Sequence, residues 1–495
     1  MNSVAIIGAG ITGLTAAFYL QRQGVPVTVY EGSGRVGGVI QSLRKDGYLA
    51  EFGPNTLLET SPKIAQLVRD AGLQSRRLDP DPKAEARYVV RYRRPIAMPA
   101  SPLGFLTTKL FPAKAKLAVL REPFVKPRRD GVEESIAQFV VRRFNQEFLD
   151  HAIDALVAGI YAGDPYKLSV QHAFPKLKAL EDEYGSMIKG QIFGARARKQ
   201  RGEVAKDRAA KFSFDEGLQV LPDTLAALLG GAVKLNSPVT RLTQTAGGWR
   251  VTFSEGRVTR VPNPLGEVGD SCNSSLRDSH AEHSAVIYCG TARRLAELEL
   301  RRTGVAPVAN LGTENGDRRD ACPTLAPFSE IRYPPVASVV LGFRREDVAH
   351  PCNGFGMLIP RIEGFKILGT IFSSSLFPNR APAGHHTLTT YIGGERYPEL
   401  AALPAEQLYE IVRDDLRVLL GVRGEPTFQH CVCFPHAIPQ YNVGYGRFKN
   451  LLTALEAQSP GLFFAGHYRD GVSLSDSIVS GCNIAARVLA TRAME

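Results

Sequence analysis

The chain has 495 residues, which is too long for one hydrophobic core and indicates two or three domains. Its 44% hydrophobic and 22% charged residues are typical of a folded globular protein and exclude a disordered one. The sequence has no run of about eighteen uncharged apolar residues, so we expect no transmembrane helix. The chain opens directly into the apolar run VAIIG without a signal or transit segment, and we interpret it as bacterial or already trimmed.

The net charge of +11 is concentrated in one segment. Between Lys83 and Arg129 the sequence has twelve Lys or Arg and two Asp or Glu, an excess of ten. The aromatic residues of this segment are Tyr88, Tyr92, Phe105, Phe111 and Phe124. Basic residues mixed with exposed aromatic residues suit an anionic surface, either a lipid leaflet or a nucleic acid. The charge pattern leaves peripheral membrane contact and a plain solvated face equally open, and it predicts no nucleic-acid binding.

The cysteines are few and thinly spread. There are seven, an odd number, in a chain large enough to fold without disulfides, so we expect reduced thiols in a cytoplasmic compartment. Cys431 and Cys433 lie in an alternating run, where a strand is favoured over a metal site because more ligands at zinc spacing would be needed. We therefore expect no bound metal.

The first predicted elements form a βαβ unit at residues 4–31. VAII and VTVYE are its strands, and the stretch between them has helical spacing. A helix follows over 60–75, where a Ser-Pro pair supplies the cap and the first turn. From about 80 to 215 the chain is basic and mostly helical, and the polar residues 196–211 predict an exposed helix or a mobile loop.

The second half of the chain has more predicted strands. GLQVLPDTLAALL predicts a helix, VKLNSPVTRLTQ and GWRVTFS predict strands, and the polar residues 255–283 predict a long loop. AVIYCGT predicts a strand that leads into the helix ARRLAELEL. Residues 336–400 alternate as in an antiparallel sheet, and a helix follows near 404–420. The end returns to a strand, GLFFAG, and a helix at about 475–491. Because the first and last segments both have the pattern of cofactor-binding elements, we expect interleaved domains.

A glycine motif follows the first predicted strand and opens the first predicted helix. Gly8 allows a tight turn, Gly10 allows the backbone to approach a pyrophosphate, and Gly13 allows close packing of helix on strand. The N-terminus of that helix attracts phosphate through its free N–H groups and its dipole. Glu31 ends the second strand eighteen residues after Gly13, where a carboxylate binds ribose hydroxyls and disfavours NADP. The motif predicts a dinucleotide site, with a structural turn as the alternative.

The residues after Glu31 favour FAD over NAD. Arg35 and the paired Gly37 and Gly38 resemble the second part of the FAD motif in the amine-oxidase-like flavoproteins. The resemblance implies that Arg35 faces the pyrophosphate and that the glycines let the backbone pass beside the cofactor, with a surface charge as the alternative for Arg35. Two later segments also resemble that superfamily. The strand with Val239 is similar to the one that contacts the adenine, and the segment with Gly466, Gly471 and Val472 is similar to the one that faces the flavin ring.

Eight segments, taken in order, resemble a single family. They are AEARYVV, VAGIYAGDPYKLSV, FSFDEGLQVLPD, YPPVASVVLGF, GFGMLIP, GTIFSSSLFPNRAP, AIPQYNVGY and GVSLSDSIVSG. The chain is similar to the protoporphyrinogen oxidases, the plant-type enzymes in particular, from residue 1 to about 490, with a poor fit at 196–211 and 255–330. Because no cysteine lies in a context typical of a covalent flavin, we expect non-covalent FAD.

The resemblance implies a fold of α/β and α+β class. Its Rossmann-type FAD-binding domain is expected in three pieces, at 1–80, 215–300 and 440–495. A mixed-sheet substrate domain is expected at 301–439 with parts of 50–100. A mostly helical, basic membrane-binding and substrate-channel insertion is expected at 81–214, where the excess positive charge lies. Since the charge count and the family resemblance have independent origins, together they favour peripheral membrane contact.

The family's reaction is the six-electron oxidation of protoporphyrinogen IX to protoporphyrin IX, with dioxygen reoxidising the flavin to give hydrogen peroxide. The residues that match its substrate pocket are Asn55, Arg87, Gly159, Gly163, Leu358 and Phe377. The resemblance implies that Arg87 grips a propionate, that Asn55 lies above the pyrrole rings, and that the others line the apolar wall or its edge. Each residue also has an ordinary alternative role. Arg87 could belong to the basic patch, Asn55 to a turn, Leu358 and Phe377 to the core, and Gly159 and Gly163 to a helix end.

No residue in the sequence is an obvious catalytic base. Hydride transfer to a flavin depends on orientation more than on acid–base chemistry, so we expect the cofactor to carry the reaction. His467 follows Gly466, where the family more often has an acidic residue or an amide, and a structural or cofactor-contact role is favoured for it. Coproporphyrinogen stays open as the substrate. A flavin amine oxidase or a carotenoid desaturase is disfavoured, because Val39 and Ile40 replace the arginine that usually follows the paired glycines.

We expect a tetrapyrrole substrate, dioxygen and a membrane surface as partners, and the sequence leaves a homodimer open. A non-enzymatic flavin scaffold at a membrane is disfavoured. The expected location is the cytoplasmic side of a bacterial membrane, with peripheral attachment, or a plastid if a transit peptide has been removed.

Overall fold

The computed structural model describes residues 3–99, 101–194, 209–255, 277–302 and 324–492. The predicted exposed helix or loop at 196–211 lies outside these residues as far as 208, and the predicted loop at 255–283 lies outside them from 256 to 276.

A parallel sheet of five strands joins segments that are far apart in the sequence. In spatial order its strands are Val233–Lys234, Val27–Tyr30, Val4–Ile7, Ala285–Tyr288 and Leu462–Phe464. The three strands on one side of it are buried along their whole length, which explains their continuous apolar sequence. The helix Ile11–Arg22 connects the first two strands of the chain in this sheet, so the predicted βαβ unit is confirmed.

A sheet of seven strands forms the second large layer. In spatial order its strands are Phe428–Phe434, Val336–Arg344, His385–Gly393, Ile367–Phe372, Gly356–Leu358, Arg87–Arg91 and Arg94–Ala97. The predicted antiparallel sheet at 336–400 is confirmed, and one parallel pair, between Gly356–Leu358 and Arg87–Arg91, extends it. The amphipathic helix Ala405–Leu420 contributes Leu408, Val412 and Leu416 to the core on one face of this sheet.

Smaller sheets and helices complete the described fold. The remaining strands form three small sheets. The first pairs Ser42–Lys45 with Tyr48–Glu51, and the second places Lys211–Phe214 between Leu57–Leu58 and Arg77–Leu78. The third has four strands in the order Arg277–His283, Gly248–Glu255, Val239–Thr245 and Glu299–Arg302. The other α-helices are Pro62–Asp70, Pro102–Thr107, Ala113–Arg121, Ile136–Arg143, Gln146–Phe148, Asp154–Tyr161, Val170–Ala173, Pro175–Tyr184, Met187–Phe193, Val220–Leu229, Ala292–Ala296, Ser373–Leu376, Gly446–Gln458 and Leu474–Arg492. None of the helices within the described ranges is long and apolar enough to cross a membrane.

Buried charges hold the helices between 113 and 194 together. Arg143 is fully buried, and its guanidinium bonds to the carboxylates of Glu122, at 2.9 Å, and Glu181, at 3.1 Å. Glu122 also accepts a 2.6 Å hydrogen bond from Ser186 and caps the helix Met187–Phe193 through its first backbone amides. Removing one partner of such a buried pair typically costs about 3–5 kcal/mol, so this cluster fixes how the helices pack.

The predicted loop at 255–283 is wrong over its last residues. Arg277–His283 is a strand that pairs antiparallel with Gly248–Glu255. The polar sequence concealed it, because only one face is buried: His283 hydrogen-bonds to Tyr30 and Ser3 at 2.9 Å in each case. The predicted helix ARRLAELEL is also too long, since the helix ends at Ala296 and Glu299–Arg302 pairs with a neighbouring strand.

The basic segment Lys83–Arg129 is not helical throughout. A hairpin of Arg87–Arg91 and Arg94–Ala97 crosses it, with a turn at Tyr92 and Arg93 that has positive φ at both residues. Not all the aromatic residues of this segment are exposed, because Phe111 is buried in a small core with Phe105 packed against it, and Tyr88 is partly buried on another core. Tyr92 and Phe124 are exposed as expected.

Candidate functional site

The glycine turn connects the strand Val4–Ile7 to the helix Ile11–Arg22. Gly8 has a φ of +104°, and a Cβ on Gly13 would lie 2.0 Å from the Gly8 carbonyl oxygen, so both positions require glycine. Gly10 differs, because a Cβ there would meet no described protein atom within 4 Å. Gly10 is the N-cap of the helix, so this open space lies at the free N–H groups that bind phosphate.

The carboxylate of Glu31 lies beside the glycine turn. One of its oxygens accepts a 2.8 Å hydrogen bond from the backbone N–H of Ala9, and the other accepts one of 2.9 Å from Ser33. The backbone of Glu31 accepts a 2.8 Å hydrogen bond from the Ser237 N–H, two residues before the strand that begins at Val239. The structure therefore brings Glu31 and Val239 to one end of the glycine turn.

The loop with the paired glycines lies against the same turn. Gly37 donates its N–H to a carbonyl of the turn at 2.9 Å, and a Cβ on Gly38 would lie 3.5 Å from the Cα of Gly10. The guanidinium of Arg35 donates to the backbone carbonyls of Gly38 and, at 3.0 Å, Ile40. Arg35 thus orders its own loop, and its approach to a pyrophosphate stays a prediction.

The segment Gly466 to Val472 precedes the final helix of the chain and is the predicted flavin-facing segment. Gly466 and Gly471 have φ values of +117° and +123°, where a side chain is disfavoured, and the N–H of Gly466 donates to Ser480 at 2.9 Å. Val472 packs beside the aromatic core. The final helix Leu474–Arg492 then begins.

The first and final helices are in direct contact. A Cβ on Gly481 would lie 2.6 Å from the carbonyl oxygen of Thr12, and the Thr12 hydroxyl donates to the Ser477 carbonyl at 3.0 Å. The glycine turn and the flavin-facing segment are therefore held in one rigid unit, although more than 450 residues separate them in the sequence.

Two buried tyrosines, which the sequence analysis did not single out, hold the loop between Gly466 and Gly471. The Tyr441 hydroxyl donates to the His467 carbonyl and accepts a 3.2 Å hydrogen bond from the Gly471 N–H. The Tyr445 hydroxyl donates to the Tyr468 carbonyl at 2.5 Å. The aromatic run IPQYNVGY was their only signal in the sequence.

His467 lies among these aromatic rings. Its Nε2 is 3.3 Å from the Tyr333 hydroxyl, and desolvation lowers the pKa of the imidazole to about 4. A pKa so far below physiological pH makes the imidazole a weak base, which favours a structural or cofactor-contact role for His467 over that of a proton acceptor.

Asn55 and Phe377 meet through a shared neighbour. Asn55 is buried, its Nδ2 donates to the Tyr391 hydroxyl at 2.6 Å, and its Oδ1 accepts from Ser373 at 3.4 Å. Ser373 begins a short helix that ends just before Phe377, whose ring is buried beside the guanidinium of Arg380.

Leu358 and Gly159 are in direct contact. A Cβ on Gly159 would lie 2.5 Å from Leu358 Cδ2, so the absence of a side chain on the helix Asp154–Tyr161 makes room for a partly exposed leucine. Gly163 lies further along, where a Cβ would come within 2.5 Å of Gln440 Oε1. Gln440 is a buried amide that the sequence analysis missed.

Arg87 lies on the strand that borders this wall. It is opposite Gly356 in the parallel pair Gly356–Leu358 with Arg87–Arg91, two positions before the partner of Leu358. The structure therefore places Arg87 on the strand beside that of Leu358, brings Leu358 onto Gly159, and links Asn55 to Phe377 by a separate set of contacts.

The sequence matches the family model of flavin containing amine oxidoreductases over residues 11–489. The chain belongs to this family. Within the family it is 34% identical to protoporphyrinogen oxidase 2, chloroplastic/mitochondrial, of Arabidopsis thaliana, over 98% of this chain and 93% of that protein. It is 28% identical to the coproporphyrinogen III oxidase of Bacillus subtilis, over 97% and 96% of the two chains. The predicted similarity to the protoporphyrinogen oxidases is confirmed.

A solved structure supports the fold of this flavin containing oxidoreductase. The crystal structure of an Exiguobacterium protein matches it with a TM-score of 0.75, covering 98% of each chain at 20% identity. The predicted fold class is thereby confirmed. The match to the flavin containing family confirms the predicted FAD.

The residues present fit a flavin dinucleotide. The open space at Gly10 accommodates a pyrophosphate at a helix N-terminus, and the Glu31 carboxylate lies where a ribose would follow. Gly466 and Gly471 keep the backbone bare of side chains at the opposite end. These four residues would hold the two ends of FAD, which supplies two-electron redox chemistry when bound.

Proposed function

We propose that this flavoenzyme oxidises protoporphyrinogen IX to protoporphyrin IX, with dioxygen as the final acceptor and hydrogen peroxide as the second product. The observation that carries the proposal is the 34% identity with a plant protoporphyrinogen oxidase over 98% of the chain. The substrate loses six electrons and six protons in three steps, and three dioxygen molecules take them up as three molecules of hydrogen peroxide.

The side chains of the candidate site suit a macrocycle with two carboxylates. Leu358, which packs on the backbone of Gly159, supplies an apolar wall. Arg87, on the adjacent strand, supplies a cation that can take a propionate with two hydrogen bonds. Asn55 supplies an uncharged polar group. In this proposal these residues bind and orient the substrate, and none of them exchanges a proton with it.

Coproporphyrinogen is the second candidate substrate, which the Bacillus subtilis relative favours. Coproporphyrinogen carries four propionates where protoporphyrinogen carries two, so it would need more cations around the macrocycle. The higher identity with the plant enzyme makes protoporphyrinogen our first choice.

We also propose that the enzyme contacts a membrane through the helices at 102–124. The exposed apolar residues of this surface are Leu103, Leu106, Leu117, Leu120 and Phe124. Exposed Lys109, Lys114, Arg121 and Lys126 lie among them. Apolar side chains surrounded by cations suit an anionic leaflet, and the cytoplasmic face of a membrane is such a surface.

One assay tests the catalytic proposal. Purified protein with bound FAD is mixed with protoporphyrinogen IX or coproporphyrinogen III, and porphyrin fluorescence and peroxide are recorded together. We expect about one peroxide per two electrons and faster turnover of protoporphyrinogen. Faster turnover of coproporphyrinogen would favour the second candidate. Bound FAD with neither product would refute both.

A further inference from the structure

The helix Asp154–Tyr161 is tied to the seven-stranded sheet by a buried ion pair. The guanidinium of Arg396 donates from Nη2 to the Asp154 carboxylate at 2.9 Å, and the two side chains are only 3% and 10% exposed. Its Nη1 donates to the Ile359 carbonyl, also at 2.9 Å. One guanidinium therefore joins the first residue of the helix to the residue that follows Leu358.

Asp154 holds the same segment through a second contact. Its carboxylate accepts a 2.6 Å hydrogen bond from the Arg361 N–H, two residues after Ile359. Desolvation lowers the pKa of the Arg396 guanidinium, and the charge of Asp154 opposes this effect. Each member of the pair thus compensates for the burial of the other, and both hold the segment that follows Leu358.

The residues next to Arg396 hold the other end of the helix. The Glu395 N–H donates at 2.7 Å to the carbonyl of Ala162, which directly follows the helix. Gly394 has a φ of +67°, and a Cβ on it would lie 2.4 Å from that carbonyl oxygen, so this close approach requires glycine. The turn after the strand His385–Gly393 therefore contacts both ends of the helix.

The helix held in this way carries one side of the proposed substrate wall. Gly159 lies between the two anchored ends, and its backbone is so close to Leu358 that an added Cβ would come within 2.5 Å of Cδ2. Because packed interiors leave little free space, a shift of the helix also moves the Leu358 side chain. The anchors at the ends of the helix thus decide the shape of the wall.

We propose that Arg396 and Asp154 are positioning residues that set the spacing between the helix of Gly159 and the strand of Leu358, and thereby the fit of the macrocycle against this wall. This inference rests on the proposed function. In it, neither charged side chain touches the substrate. A wall of this kind binds the ground state and the transition state of the macrocycle alike, so disturbing it raises the Michaelis constant and leaves kcat nearly unchanged.

The test separates the positioning role from plain stability with two variants. Arg396→Met leaves the Asp154 carboxylate buried without its cation, so it should lower the urea midpoint and raise the Michaelis constant for protoporphyrinogen IX about fivefold. The double variant Asp154→Asn, Arg396→Met buries no unpaired charge, so its urea midpoint should return towards that of the wild type. Its Michaelis constant should stay raised about fivefold, because the bond to the Ile359 carbonyl is still missing. FAD content and kcat should equal those of the wild type in both variants.

Arg143→Met is the matched control. It also breaks a fully buried ion pair, the one with Glu181, which joins two other helices of the chain. It should lower the urea midpoint as Arg396→Met does and leave the Michaelis constant unchanged.

A wild-type Michaelis constant in the double variant would overturn the inference, because the pair would then serve stability alone. An equal rise in Arg143→Met would overturn it as well, since any loss of stability would then weaken substrate binding. If the wild-type protein retains FAD but oxidises neither porphyrinogen, the proposed function fails, and this inference fails with it.

Discussion

At the residue scale, two glycines of one turn have different physical reasons for lacking a side chain. A Cβ on Gly13 would collide with the backbone of Gly8, whereas a Cβ on Gly10 would enter open space at a helix N-terminus. We therefore expect Gly10→Val to fold with a thermal midpoint near that of the FAD-free wild type and to retain no FAD. Flavin absorbance of the purified protein measures retention. Gly13→Val is the contrasting variant and should fold poorly, and a fully yellow Gly10→Val protein would contradict the phosphate site.

The second prediction at this scale concerns Arg87. Arg87→Ala should raise the Michaelis constant for protoporphyrinogen at least tenfold, because a charge-assisted bond to a propionate is typically worth about 1.5–3 kcal/mol. The flavin content should not change. Arg94→Ala, an exposed arginine on the adjacent strand, is the control and should leave both quantities as they are. Loss of FAD from the Arg87 variant would argue against a propionate contact.

At the scale of elements, the helices at 102–124 carry the membrane proposal. Leu103 is 72% exposed and Phe124 is 83% exposed, and burying each side chain in a leaflet is worth roughly 1.5–3 kcal/mol. The double variant Leu103→Glu, Phe124→Glu should therefore bind vesicles with anionic lipid at least tenfold more weakly, measured by cosedimentation. Leu228→Glu, on an exposed helix face elsewhere, should bind as the wild type does. Equal binding of the double variant would refute this surface.

The elements also show how far sequence alone reaches. The glycine motif, the βαβ unit and the alternating strands at 336–400 are local patterns, and the structure confirms them. Arg277–His283 was missed because its residues are polar and its pairing partner is distant in the sequence. Tyr391 and Tyr441 were missed for a related reason. The local sequence does not reveal the role of a tyrosine in a strand or a loop, because that role depends on partners such as Asn55 and Gly471 that only the fold brings near.

At the scale of the whole molecule, Glu51 connects the cores of the two large sheets, because its hydrogen-bond partner Leu218 packs in the core of the five-stranded sheet. Its strand packs on the seven-stranded sheet through Tyr48 and Ala50. Its buried carboxylate accepts hydrogen bonds from the Ser42 hydroxyl, at 2.6 Å, and the Leu218 N–H, at 2.7 Å. Desolvation raises the pKa of Glu51 to about 7, against the opposing effects of these bonds and of Arg380. Protonation of one carboxyl is therefore coupled to the contact between the cores of the two large sheets.

The sign of this coupling predicts how stability depends on pH. The pKa of Glu51 is about 7 in the folded chain and 4.5 in a free carboxyl, so the unfolded state releases its proton first as pH rises. Below pH 4.5 the protonated Glu51 contributes its full share to the free energy of unfolding. This contribution, roughly 3 kcal/mol, is lost as the pH rises from 4.5 through about 7. His467 has the opposite effect on stability. Its pKa is 6.5 in the free side chain and about 4 in the folded chain, so the free energy of unfolding decreases as the pH falls through that range. We expect Glu51→Gln to have a larger free energy of unfolding than the wild type near pH 8, measured by urea unfolding across pH. At acidic pH the variant should still lose stability, because His467 is unchanged. Identical profiles for the two proteins would show that Glu51 does not titrate as its burial implies.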